Sequence, residues 1–276
     1  MQAPPETPPV ADVPELRDGG HLWILELIDG APLRFQLQST GAIRFGDGER
    51  AFDADEIPLS YRHAVRHVRE RLDRDALRGA VDDVEEVTFF AEATHRHVVD
   101  YDWDAIPPIL GFDVYDADRG SFLPPDAAEG VFRRLGLDPA NAVAKEVRAD
   151  AFDPDTYDVP DSKWYDGPAA GVVVRDKIGH RGTIVHPAFR DRSLPETDLD
   201  AAELAARYVT DDCLDALAAT LADRLSFDAL YERALERAVR EIHPFLFSDS
   251  STVDRRAFRS AISARVRTYL DDTENV

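Results

Sequence analysis

The hydrophobic pattern of the chain changes period once, near Pro195, and this change limits the folds open to it. Before it, short apolar runs are bounded by Gly, Pro and Asp; after it, apolar residues recur every three or four positions. His21–Ile28 (HLWILELI) reads as a strand, and Leu33, Phe35 and Leu37 alternate with polar neighbours in the next. Val87–Ala93, Ile109–Tyr115, Gly171–Arg175 and Thr183–Val185 are further strand segments. A helix is predicted over Tyr61–Val81 from Ala64, Val65, Val68 and Leu72, with Ser60 as its N-cap. Asp126-Ala-Ala-Glu129 predicts a capping box for a short helix ending at Gly136, and Asp200-Ala-Ala-Glu203 predicts another. Three apolar stripes at helical spacing follow: Leu214, Leu217, Leu221 and Leu225; Phe227, Leu230, Ala234 and Ala238; Phe258, Ile262, Val266 and Tyr269. The prediction is an α+β domain over 21–195 and a small all-helical C-terminal domain over 196–276. Residues 151–168 read as an acidic loop. Residues 1–20, rich in Pro and acid with no basic-then-apolar order, read as a disordered tail rather than a signal peptide.

Composition removes several classes of function. One cysteine, Cys213, excludes a disulfide framework and any multi-cysteine metal site, and a buried structural thiol is expected there. No apolar run approaches the ~18 residues of a membrane span, so no membrane partner and a cytoplasmic location are expected. The formal charge is −22, Asp outnumbers Glu, and Lys145, Lys163 and Lys177 are the only lysines. Such self-repulsion is tolerable where molar salt shortens the Debye length to about 3 Å, which points to a salt-adapted, halophilic cytosol.

Asp29-Gly30 alone predicts a hairpin turn. Further segments follow it in order: Ile43-Arg44-Phe45-Gly46-Asp47 before Arg50; Phe89-Phe90-Ala91-Glu92; Gly111-Phe112-Asp113-Val114-Tyr115-Asp116; Ala170-Gly171-Val172-Val173-Val174-Arg175; and Arg181-Gly182-Thr183-Ile184-Val185. In this order and spacing, over about 21–190, the set resembles the ATP-dependent RNA ligase family in a haloarchaeal form. That family belongs to the covalent nucleotidyltransferases, with DNA ligases and RNA capping enzymes.

The resemblance implies an antiparallel-sheet, ATP-grasp-like adenylylation domain with ATP or AMP held between two sheets and Mg2+ as its metal. In such a family a motif lysine attacks the α-phosphate, AMP passes to an RNA 5′-phosphate, and a 3′-hydroxyl displaces it. By the same resemblance Asp29, Gly30, Arg34, Arg50, Glu92, Phe112, Val172, Arg175 and Arg181 form the nucleotide site. Glu92 would hold the ribose hydroxyl and Phe112 would stack on the adenine.

The chain departs from that pattern where the chemistry belongs. Leu27 stands at the nucleophile position and has no lone pair to attack phosphorus. Ala170 replaces the metal-binding glutamate, Thr183 replaces the lysine that neutralises phosphate, and Pro32 stands five residues past Leu27 with Arg34 nearby. Phosphoryl transfer rests on positioning and charge neutralisation, so these losses remove most of it. No catalytic residue and no metal ligand is therefore assigned.

Other residues carry two readings each. His95-x-His97 with Glu92 has the spacing of a metal cluster, against an exposed strand end as the ordinary reading. Lys177 and His180 are displaced phosphate ligands or solvated loop groups. Arg44, Arg50 and Arg175, beside apolar strands, need an anion that is either a nucleotide or an internal Asp. Arg255, Arg256, Arg259, Arg265 and Arg267 form either an RNA-contacting face or a solvated one. Three functions follow: a pseudoenzyme that binds an adenine nucleotide or adenylylated RNA end; an active ligase with another nucleophile or only the sealing step; and a protein-interaction module with a filled pocket.

Overall fold

A computed structural model describes residues 1–53, 55–190 and 192–274, which divide into two compact units. The first comprises 1–58, 64–94 and 101–192, and the second 59–63, 95–100 and 193–276.

The first unit is built on nine strands: β1 (His21–Leu27), β2 (Ala31–Leu37), β3 (Ile43–Gly46), β4 (Val87–Ala93), β5 (Ile109–Asp116), β6 (Ser121–Phe122), β7 (Ala142–Arg148), β8 (Gly171–Arg175) and β9 (Arg181–Val185). They form two antiparallel sheets, in the orders β7-β1-β8-β9 and β3-β2-β4-β5-β6. The turn at Asp29-Gly30 is therefore not a hairpin. β1 pairs with β7 and β8 while β2 pairs with β3 and β4, so these residues carry the chain from one sheet to the other. β7 is an edge strand of half-exposed residues with irregular register, which leaves no clear apolar alternation to read.

The predicted helix over 61–81 is two helices, α1 (Arg62–Arg71) and α2 (Arg74–Ala80). Asp73 separates them because its side chain accepts the Ala76 N–H at 2.8 Å and starts a new helix. Ser60 lies inside a 3-10 turn rather than capping α1. The first predicted capping box is also absent. In α3 (Pro125–Arg134) Pro125 starts the helix, and Glu129 turns outward to Arg133 and Lys145. α3 lies directly over β5 because Gly111 has no side chain: a Cβ there would sit 2.2 Å from the Phe132 ring. A short α4 (Pro187–Arg190) follows β9.

The N-terminal segment, read from sequence as a disordered tail, is docked. Val10–Asp12 and Pro14–Arg17 form 3-10 turns that bury Val10, Val13 and Leu16 against Leu22, Ile24, Val172 and Val174. The Thr183 N–H donates to the Pro8 carbonyl at 2.8 Å, closing the open edge of β9. Gly182 permits this approach, since a Cβ would meet the Val10 backbone at 2.8 Å. Proline and acid content hid three apolar residues whose burial holds the segment in place.

The second unit contains α5 (Ala201–Tyr208), α6 (Asp211–Leu221), α7 (Phe227–Phe247) and α8 (Arg255–Glu274). Asp200 and Glu203 form the predicted capping box reciprocally, and Thr210 and Ser226 cap the next two helices. Leu214, Leu221, Leu230, Ala234, Ala238, Phe258, Ile262 and Val266 are buried together, whereas Leu225 lies beyond α6 and is exposed. Cys213 is half-buried in the first turn of α6, not in the core. The arginines of α8 are largely engaged within the unit. Arg265 bonds the Val209 carbonyl and Asp211, while Arg255 and Arg267 stack on Phe247 and Phe227. They do not form an unengaged basic face.

Candidate functional site

Between the two sheets of the first unit lies a cavity of about 300 Å3. Period-two alternation decides what faces it. On β8, Val173 and Arg175 line the cavity, while Val172, named from sequence, points to the opposite face among Val10, Leu22 and Ile24. From the first sheet Leu25 and Leu27 enter, and from the second Pro32, Glu92 and Phe112. Of the residues inferred from sequence, Glu92, Phe112, Arg175 and Arg181 thus share one cleft, together with Leu27 and Thr183.

The others lie elsewhere. Arg50 is exposed and closes a turn in which its N–H meets Asp47 at 2.7 Å; Arg44 is exposed too. Arg34 is buried and gives its Nη1 to the Gln2 carbonyl at 2.9 Å. Asp29 donates its backbone N–H to the Tyr101 hydroxyl at 2.8 Å at the sheet-to-sheet turn. Gly30 is required there, because a Cβ would lie 2.6 Å from the Ala93 carbonyl and 2.9 Å from Glu92 Cγ. Ala170 is buried and accepts the His186 N–H at 2.9 Å, outside the cleft lining. Lys177 pairs with Glu146 at 2.7 Å, and His180 Nδ1 lies 2.6 Å from Asp176 Oδ2, so both side chains are engaged by neighbouring carboxylates.

The anion facing Arg175 is internal. Fully buried Asp113 receives Arg175 Nη2 at 3.0 Å and Arg181 Nη1 on its other oxygen. Arg175 also donates to the Phe112 carbonyl at 2.5 Å, which fixes the backbone beneath the cleft aromatic. One carboxylate thus serves two buried guanidinium groups, and Asp176 is a second negative charge acting on Arg175. Sequence reasoning quoted Asp113 within its motif but missed this role; a charged residue between apolar strand neighbours was the available signal.

The carboxylates of the cleft do not suit a divalent cation. Glu26 is buried and already accepts from Asn141 at 2.8 Å, Ser162 at 2.6 Å and the Lys163 N–H at 3.3 Å. Desolvation, and then the Asp29 charge, raise the Glu92 pKa to about 8, so at neutral pH it is mainly a protonated hydrogen-bond donor. With Ala170 elsewhere, no anionic ligand set for Mg2+ remains among the described residues of the cleft. Phe112 offers a partly exposed ring and Glu92 a polar edge, among apolar walls.

The raised Glu92 pKa has a consequence for stability. The ordinary value is 4.5, so between about pH 4.5 and about pH 8 the folded chain keeps a proton that the unfolded chain has released. Stability contributed by this group therefore falls as pH rises through that window. In thermal melts, Glu92→Gln is expected to gain on the wild type between about pH 5 and about pH 8. Parallel melting curves would show that Glu92 is already ionised in the folded chain.

No protein-family model matches this sequence, and no curated protein is significantly similar to it. Its fold, by contrast, is that of solved RNA ligase structures. A variant of Naegleria gruberi RNA ligase with ATP and Mn superposes with a TM-score of 0.52 at 12% identity, over 68% of this chain and 56% of that one. Another variant of that enzyme, with AMP and Mn, gives 0.51 at 13% identity, over 68% of this chain and 57% of that one. The chain thus has the α+β nucleotidyltransferase fold of RNA ligases and spans a little over half the length of those structures.

Proposed function

We propose that the cleft binds an adenine nucleotide or an adenylylated RNA end reversibly, without forming lysyl-AMP. The observation that carries this reading is that Glu92 and Phe112, on the neighbouring strands β4 and β5, line one cavity together with Leu27 at the end of β1. The motif residues retained act on ground-state binding of base and ribose. Those replaced, at 27, 170 and 183, act on the chemical step, and only interactions stronger in the transition state accelerate a reaction. No lysine is among the described residues lining the cleft. Lys145 is held by Glu129 at 2.7 Å, Lys177 by Glu146 at 2.7 Å, and the Lys163 amine lies over the Trp164 ring. Incubation with ATP and divalent metal, followed by intact-mass measurement, is expected to show no added AMP. An adduct mapped to Lys163 or Lys177 would overturn this reading in favour of an active ligase with a displaced nucleophile.

A second reading is favoured by the N-terminal segment. Pro4, Pro5 and Thr7 line the same cavity, Arg34 holds the Gln2 carbonyl, and Thr183 Oγ1 holds the Pro8 carbonyl at 3.3 Å. One motif position, Thr183, and the nearby Arg34 thus grip the chain itself. On this reading the cleft is self-occupied, and the domain serves as an interaction module or exchanges its own segment for a ligand.

A further inference from the structure

The second unit brings together three imidazoles that have no part in the cleft. One ring nitrogen from each of His95, His97 and His243 lies within 4.8 Å of the other two. The ring centroids are 4.1 Å apart for His95 and His243, 4.9 Å for His95 and His97, and 5.1 Å for His97 and His243. Four of the chain's eight histidines meet here, since His63 stands edge-on to His95 at 5.9 Å.

The backbone explains how they come together. Pro244 has no N–H to give the Arg240 carbonyl, and α7 is kinked at Ile242, where φ is −111° and ψ is 18°. The carbonyl released by this proline accepts the Arg96 N–H at 2.9 Å. That bond anchors the residue between His95 and His97 to the helix turn carrying His243. Beyond the end of β4 at Ala93, both histidines of the His-x-His pair face the third. The Arg96 guanidinium lies over the Phe245 ring at 5.4 Å and reinforces the contact.

The cluster is chemically unusual for a core. Nδ1 of His95 and Nδ1 of His243 are buried and hydrogen-bond to nothing among the described residues, an arrangement that is costly unless something accepts the lone pair. A metal is ligated by the lone pair of an unprotonated imidazole nitrogen, which this cluster of ring nitrogens can supply. With neither thiolate nor carboxylate in the set, hard cations such as Mg2+ and Ca2+ are disfavoured and first-row ions bound by imidazole are favoured.

We propose that His95, His97 and His243 form a zinc site that fastens the 95–97 segment to the kinked end of α7. Three imidazoles and one further position complete the tetrahedral coordination usual for Zn2+. Arg240 opposes the ion by its charge. The site uses no residue of the nucleotide cleft, so its standing is independent of the proposed function.

The test uses tag-free full-length chain. Metal analysis after equilibration with Zn2+ is expected to give one ion per chain, and Co2+ substitution should give the visible bands of a tetrahedral nitrogen site. Outer-shell losses weaken metal sites about 10–100-fold, so His97→Gln and His243→Gln, which remove ligands, should each weaken Zn2+ binding more than about 100-fold. Added Zn2+ should raise the melting temperature of the wild type and not of the variants. Circular dichroism reports whether the variants fold, while the wild-type stoichiometry and Co2+ spectrum stand without them. No stoichiometric ion in the wild type, or unchanged affinity in folded variants, would overturn the proposal.

Discussion

Replacing Asp113 with alanine is expected to destabilise the first unit by about 3–5 kcal/mol, the scale for removing one partner of a buried ion pair. The carboxylate is fully buried and accepts from both Arg175 and Arg181, which are themselves 3% and 6% exposed. Removing it leaves two guanidinium groups facing each other in a low-dielectric wall, and Arg175 already has its pKa pulled down by burial. At roughly 2–4 °C per kcal/mol for a domain of this size, the melting temperature should fall by ~6–20 °C. Arg175 also holds the Phe112 carbonyl, so nucleotide affinity should fall in the same variant. A melting temperature within a degree or two of the wild type would show that the arginines find other anions and that the triad is not the cleft's keystone.

Phe112→Ala should weaken adenine-nucleotide binding about ten-fold or more, since a base stacked on an aromatic contributes ~1–3 kcal/mol and 1.4 kcal/mol is one decade. Deleting residues 1–8 should act in the opposite direction. It removes Pro4, Pro5 and Thr7 from the cavity but spares Val10, Val13 and Leu16, whose burial holds the following turns. Where an open form is a tenth or less of the population, apparent affinity should rise about ten-fold or more once the segment is gone. Calorimetric titration with AMP and with a 5′-adenylylated oligonucleotide, in concentrated KCl, reads both effects. If neither the full chain nor the truncated form binds at millimolar ligand, the nucleotide reading fails and the interaction-module reading takes its place.

Part of the candidate cleft was legible from the order of short segments along the sequence. Leu27, Glu92, Phe112, Arg175, Arg181 and Thr183, brought together from separate segments, line one cleft. Arg50 and Val172 were misplaced for different reasons. A one-residue step along β8 turns a side chain to the other face, so Val173 rather than Val172 enters. Arg50 sits on a turn whose direction no local pattern encodes.

Local sequence determined most of the strands, most helices and the second capping box, because hydrophobic period, caps and turn residues act over a few positions. It also determined that β1 ends in a leucine, with no lysine before position 145. Tertiary structure alone decided that Asp29-Gly30 joins two sheets, that an acidic, proline-rich N-terminus closes an edge and enters a cavity, and that Asp113 satisfies two arginines 62 and 68 residues away. It alone decided that His243 meets His95 and His97. Those partners are set by which buried charges and lone pairs must be satisfied, and that requirement acts between residues far apart in the chain.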